Sequence, residues 1–291
     1  MSIEPGEMRP SISDLLNPTK VAVIGASDTS HIGSMLCRNI LSRGGILFPV
    51  NPKYDRLYDT HCYPSVLDIT EDVDAVAIAV PPELCIEIVL QCSRKGIRNI
   101  VIPGDGFADA GTQGALLQKK LEEVARKHEV AICGPNCLGF ANSRGVSIWA
   151  ARMSKVSEGN LSVVSQSGGL LSTLMRYEAD HPIGFAYCVS SGNEVDLTCS
   201  DYMRYFVDDD NTRAIICILE TIRNIDDFLS VAEEARSKRK PIIALKLGKS
   251  ERGRQAALTH TGAMSGPGEF YDALFKQHGI VLVENLTELA D

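Results

Sequence analysis

The residue best placed to do covalent chemistry is His260, within Leu258-Thr259-His260-Thr261-Gly262-Ala263. Ahead of it an apolar run, residues 242–247, ends in Gly248, and a loop carrying Lys249, Arg252 and Arg254 follows. That order sets an imidazole at the C-terminal end of a strand, beside cations and before a helix. The unbonded N–H groups and positive dipole end of a helix start attract phosphate. Glu220 closes a second apolar run, Ile215-Ile216-Cys217-Ile218-Leu219. It reads either as a solvated loop carboxylate or as the group that fixes the tautomer and ring position of such a histidine.

Three turns add candidate ligand contacts, the first and the last of them as anion cradles. Val21-Ala22-Val23-Ile24-Gly25-Ala26-Ser27, with Gly33 beyond, has the form of a nucleotide-phosphate turn, although Ser27 replaces the middle glycine of GxGxxG. An ordinary tight strand-to-helix turn has the same pattern. The following strand ends in Asn51-Pro52-Lys53 rather than an acidic residue, which disfavours NAD and suits a ligand with an extra phosphate. Gly134-Pro135-Asn136-Cys137-Leu138-Gly139 can turn Asn136 and Cys137 toward a ligand; no base stands near Cys137, and packing is its alternative role. Ser165-Gln166-Ser167-Gly168-Gly169 follows a strand and starts a helix, but it lacks the G-x-S-x-G nucleophile elbow. Gly248-Lys249-Ser250 only imitates a P-loop, because Ile243 stands where its first glycine belongs.

The elements that must position these groups alternate along all 291 residues. Apolar runs predict strands at 21–25, 46–50, 75–80, 99–102 and 130–133, then at 161–165, 184–189, 214–219, 242–247 and 280–283. Amphipathic stretches between them predict helices near 33–43, 83–95 and 111–128, then 168–179, 195–207, 225–238 and 267–278. Such alternation implies two α/β domains with parallel sheets covered on both faces. Regular structure lapses between residues 142 and 159, which places domains at 1–145 and 146–291. The last residues, Leu289-Ala290-Asp291, read as the first turn of a helix capped by Thr287, so the chain is expected to be a trimmed piece of a longer protein.

A net charge of −8 argues against a nucleic-acid binder but not against small anions held locally. The nine cysteines show no CxxC pair and no metal-ligand spacing, and no metal site is expected. Their odd number, with no signal peptide or membrane-length apolar stretch, points to a reducing cytoplasm.

Taken together, Gly25-Ala26-Ser27, Gly106-Phe107-Ala108-Asp109, Gly134 to Gly139, Ser165 to Gly169 and Thr259 to Ala263 resemble the NDP-forming acyl-CoA synthetases, relatives of the succinyl-CoA synthetase α-subunit. The resemblance implies an N-terminal CoA-binding Rossmann-like domain and a flavodoxin-like ligase domain, both three-layered. It implies that His260 carries a phosphoryl group and that Glu220 bonds it. Gln166, Ser167, Gly168, Gly169 and Asn193 fall to the phosphate and acyl group, with Trp149 and Ser191-Gly192 near the acyl pocket. Gly25, Ser27, Lys53, Asp105, Gly106, Asn136 and Cys137 fall to coenzyme A. ATP or GTP with Mg2+ would sit on an ATP-grasp subunit or domain, and an oligomer and a small carboxylic acid substrate are expected. Pro103-Gly104-Asp105 departs from the family's usual turn by its acidic group. Two other readings compete: a non-catalytic CoA-binding or regulatory module, and an NAD(P)-dependent oxidoreductase.

Overall fold

Short β-branched runs that cannot leave either face in water become the central strands of two sheets. The structure, a computed structural model, describes residues 11–29, 31–153, 156–177, 183–248 and 268–290. The first half contains α1 (Ile12–Leu16), β1 (Lys20–Ile24), α2 (His31–Ser42), β2 (Ile46–Val50) and a small hairpin of β3 (Arg56–Leu57) and β4 (Thr60–His61). It continues through β5 (Ala75–Ile78), α3 (Pro82–Arg94), β6 (Asn99–Val101), α4 (Thr112–Lys127) and β7 (Ala131–Cys133). Its main sheet is parallel throughout, in the order β2-β1-β5-β6-β7. Every residue of β5 and β7 is buried, as strands sandwiched between helices must be.

The second half opens with a hairpin for which the sequence offers no strands, β8 (Gly139–Asn142) and β9 (Ile148–Trp149). Then follow β10 (Glu158–Ser165), α5 (Gly168–Tyr177), β11 (Phe185–Ser190), α6 (Cys199–Asp208) and β12 (Ala214–Leu219). After them come α7 (Ile225–Ser237), β13 (Ile242–Lys246), α8 (Gly268–Gln277), β14 (Val281–Val283) and α9 (Leu286–Ala290). The sheet order is β14-β13-β12-β10-β11-β8-β9, parallel from β14 to β11, with β8 and β9 added antiparallel at one edge. The α/β fold class expected from the sequence is therefore present in both halves. Helix α9 is capped by Asn285, whose side chain accepts from the Glu288 N–H at 2.9 Å, rather than by Thr287.

In both sheets the strand order reverses beside the first strand of the set, and open α/β sheets bind ligands at the carboxyl ends of strands at such a reversal. In the first sheet this crevice lies between β1 and β5, in the second between β10 and β12. Gly25 follows β1, Gln166 follows β10 and Glu220 follows β12, so the topology sends these predicted residues to the two crevices.

The halves are fused. The segment after β11 runs against the free edge of β7 in the opposite direction: Asn193, Val195 and Leu197 donate backbone N–H groups to Pro135, Gly134 and Ile132 at 2.8, 2.9 and 3.3 Å. The Asp196 carboxylate accepts the Ile132 N–H at 3.1 Å. Asn39 on α2 reaches the carbonyls of Trp149 and Ala151. Leu16, Leu36 and Ile40 share one core with Phe140, Ile148 and Tyr202. Trp149 is itself buried in the core beside Ala141 and Leu174. All nine cysteines are free and buried, and no helix among the described residues is long and apolar enough to cross a membrane.

Candidate active site between the two sheets

Gly25 makes the first crevice possible. Its φ is +80°, and a Cβ there would lie 2.3 Å from the Ala79 carbonyl oxygen. A Cβ on Gly33 would in turn lie 2.4 Å from the Gly25 carbonyl oxygen, so α2 rests directly on the turn. Ser27 is buried and its hydroxyl accepts the Thr29 N–H at 3.1 Å, which shapes the turn. Asn51 ties the end of β2 to the same turn by donating to the Ala26 carbonyl at 2.8 Å. Gly25, Asn51, Lys53, Val80 and Leu84 line a groove of about 460 Å³, with Lys53 exposed at its rim. An apolar floor with a cationic rim suits a flat heterocycle carrying phosphate.

A second cleft, about 500 Å³, lies where the halves meet. Asp105 from the loop after β6, Asn136 and Cys137 from the loop after β7, and Gln166, Ser167, Gly168 and Gly169 at the start of α5 all line it. Seven predicted residues from three separate segments thus converge. Ser167 caps α5, its hydroxyl accepting the Leu170 N–H at 3.4 Å. A Cβ on Gly168 would press Leu138 at 2.9 Å, whereas one on Gly169 would meet nothing within 4 Å. The first-turn N–H groups of a helix have no partner within it, so this small-residue start turns groups able to receive an anion toward the cleft.

Several of these side chains are also engaged with the protein itself. The Gln166 amide accepts the N–H groups of Glu220 and Thr221 at 2.7 and 2.9 Å and donates to the Thr221 carbonyl at 2.9 Å. It staples the end of β12 to the end of β10 and so places Glu220. Glu220 is buried, and its carbonyl accepts from the buried Lys246 ammonium at 2.7 Å. Asn193 does not line the cleft; it is buried beside it, donating to Asp109 at 2.9 Å and Gln118 at 3.0 Å while accepting from Asn136 at 3.2 Å. Gly106 faces a third groove with Pro82 and Lys120, and its N–H is held by Asp109 at 2.9 Å. The Cys137 thiol, 3.5 Å from the Ile102 carbonyl, is pushed well above its ordinary range by the neighbouring Cys133 thiol and by burial, which is the state of a packing residue.

Sequence reasoning missed Glu194. It follows Asn193 at a positive φ of 53°, is buried, and accepts from the Ser191 hydroxyl at 2.9 Å and the Cys199 N–H at 3.0 Å. Arg223 lies 3.6 Å away. Burial pushes its carboxyl up to about 7, against the pull of Arg223, Ser191, Gln166 and the Cys199 N–H. The available signal was the run Ser191-Gly192-Asn193-Glu194, which packs polar residues at the carboxyl end of a fully buried strand.

His260, with the cationic loop before it, lies outside the described residues. Among the described residues no cluster of His, Cys, Asp or Glu could hold a metal ion.

A nucleotide-type crevice joined to a second sheet with a glycine-started helix defines the class: two open α/β units that take ligands at the carboxyl ends of their strands. The domain models agree, a CoA binding domain matching residues 19–143 and a succinyl-CoA ligase like flavodoxin domain matching residues 158–291. The ADP-forming acetate–CoA ligase of Methanocaldococcus jannaschii is 38% identical over 94% of this chain and 38% of its own length. The α-subunit of ADP-forming acetate–CoA ligase I from Pyrococcus furiosus is 36% identical over 97% of this chain and 62% of its own length. The dinucleotide-forming acetyl-coenzyme A synthetase 1 of Ca. Korarchaeum cryptofilum, solved with phosphate and ADP, superposes with a TM-score of 0.88 at 35% identity, covering 95% of this chain and 60% of that one. The chain belongs to the NDP-forming acyl-CoA synthetase family. It spans less than two thirds of the length of these relatives.

Proposed function

We propose that this chain is the CoA-binding and phosphohistidine part of an NDP-forming acid–CoA ligase. The overall reaction is carboxylic acid + CoA + NTP ⇌ acyl-CoA + NDP + phosphate. The observation that carries the reading is the cleft in which Asp105, Asn136 and Cys137 meet the Ser167–Gly169 helix start. One side of this cleft belongs to the CoA half and the other to the phosphate-holding half.

In this reading Lys53 and the Gly25 groove hold the nucleotide end of CoA, and the thiol end enters the cleft by Asn136 and Cys137. The start of α5 holds a phosphoryl group through its backbone N–H groups and dipole, where stabilisation of transferring charge is strongest. The substrate carboxylate reacts as an acyl phosphate. The CoA sulfur attacks its carbonyl carbon, the C–O bond to phosphate breaks, and phosphate leaves. His260 carries the phosphoryl group between this cleft and the nucleotide, dividing one hard transfer into two easier ones. Glu220, held by Gln166, orients that imidazole. The nucleotide and Mg2+ belong to an ATP-grasp subunit or to a further part of the same protein. A small carboxylic acid is the substrate class, and the assembly acts in the cytoplasm.

The test is phosphorylation of the assembled enzyme with γ-labelled ATP and Mg2+. An acid-labile, base-stable phosphate on His260 is expected, absent from His260→Ala. Undiminished labelling of His260→Ala would refute the reading.

A further inference from the structure

We propose that Glu194 is a positioning residue that holds the Gly106–Phe107 loop of the first domain in fixed relation to the Glu220 end of β12. The proposal rests on the reading of the first domain as the CoA site. Two chains of contacts meet at this carboxylate. On one side Arg223, three residues beyond Glu220, lies 3.6 Å from Glu194 Oε2 and donates to the Asn193 carbonyl. The Asn193 amide then bonds Asp109 at 2.9 Å, and Asp109 accepts the N–H groups of Gly106 and Phe107 at 2.9 and 3.2 Å. On the other side Oε1 of Glu194 accepts from Ser191 and from the Cys199 N–H at the start of α6. Gln166, which sets the backbone of Glu220 and Thr221, is also close enough to Glu194 to draw its carboxyl down.

The carboxylate therefore pins Arg223 against the Asn193 carbonyl, and the segment through Asn193 pins the loop. A neutral side chain of the same shape keeps the two Oε1 bonds and loses the attraction for Arg223. Glu194 does not touch the cleft, so it acts through these neighbours. The titratable and charged groups facing it are Arg223 after β12, the Cys199 thiol of α6 and the Cys133 thiol of β7. Arg223 is the permanent charge among them. Because burial brings the Glu194 carboxyl up to about 7, its hold on Arg223 is expected to switch across neutral pH.

The experiment is calorimetric titration of CoA into this chain and into Glu194→Gln between pH 5.5 and 8. At pH 8 the native protein is expected to bind CoA about five-fold more tightly, the change that corresponds to weakening one charge-assisted hydrogen bond. At pH 5.5, with Glu194 protonated, the two should bind alike. The comparison removes the titration of CoA's own phosphates, which both proteins share. A ratio that stays constant with pH marks a merely structural role and overturns the proposal, as does the absence of any difference. Failure of the native chain to bind CoA at any pH overturns instead the CoA reading, and the proposal with it. If Glu194→Gln does not reach a native far-UV spectrum, Arg223→Gln, which also loses the bond to the Asn193 carbonyl at every pH, is expected to give a ratio that still widens from pH 5.5 to pH 8, and a pH-independent one refutes the proposal.

Discussion

Replacing Gln166 with alanine separates a structural staple from a phosphate ligand. The side chain supplies three buried hydrogen bonds to the backbone of Glu220 and Thr221, at 2.7, 2.9 and 2.9 Å. Alanine would leave two N–H groups and one carbonyl without that partner. Each orphaned buried group costs about 1–3 kcal/mol, and partial entry of water lowers the total to about 3–5 kcal/mol. For a cooperative unit of this size that loss corresponds to a fall in melting temperature of roughly 5–15 °C. Differential scanning calorimetry on the phosphate-free protein is the assay, with Gln166→Glu as a second variant. Glu keeps the acceptor oxygen but sets a second oxygen against the Thr221 carbonyl, so it too should be destabilised. If Gln166→Ala melts within about 1 °C of the native protein while phosphate binding falls, the staple assignment is wrong and Gln166 is a ligand.

Two further outcomes follow from single residues. Glu194 holds its proton in the folded protein up to about 7 against an ordinary value of 4.5, so its neutral form adds stability that is full below pH 4.5 and lost as pH rises through 7. The loss is on the order of 3 kcal/mol at 1.36 kcal/mol per pH unit, and urea titrations should show Glu194→Gln gaining on the native protein across that window; a constant difference would contradict the assignment. Gly25→Ala sets a methyl against the Ala79 carbonyl at a left-handed φ, which should destabilise by about 2–4 kcal/mol and remove CoA binding; unchanged unfolding would show that the turn relaxes freely.

Much of the fold was legible because fully buried parallel strands read as unbroken apolar runs and the helices between them carry one apolar face. Strand 214–219 is found as Ala214–Leu219, and helix 225–238 as Ile225–Ser237. The β8–β9 hairpin was not legible. Its pieces are short and broken by Gly, Asn and Arg, and β8 exists as a strand through its pairing with β11, some 50 residues onward. In the site, residue types at strand ends were readable because turn chemistry is local. Side-chain partners were not, since they depend on register between distant strands. Gln166 reads as a ligand in its Ser-Gln-Ser-Gly-Gly turn, and its bonds to Thr221 emerge only when β12 is set beside β10. Asn193 likewise turns from a cleft residue into a tie when Asp109, on another sheet's loop, comes within reach.

The lending of residues 193–197 to the rim of β7 also bears on how the protein can be divided. An uncovered outer strand presents a row of unsatisfied donors and acceptors on which other chains stack. The CoA half cut off after residue 145 would carry such a rim, with Val195 gone from its apolar core. Dissection at that point should therefore yield an aggregating fragment. A soluble excised half would need the 193–197 segment restored in cis, or charged substitutions along β7.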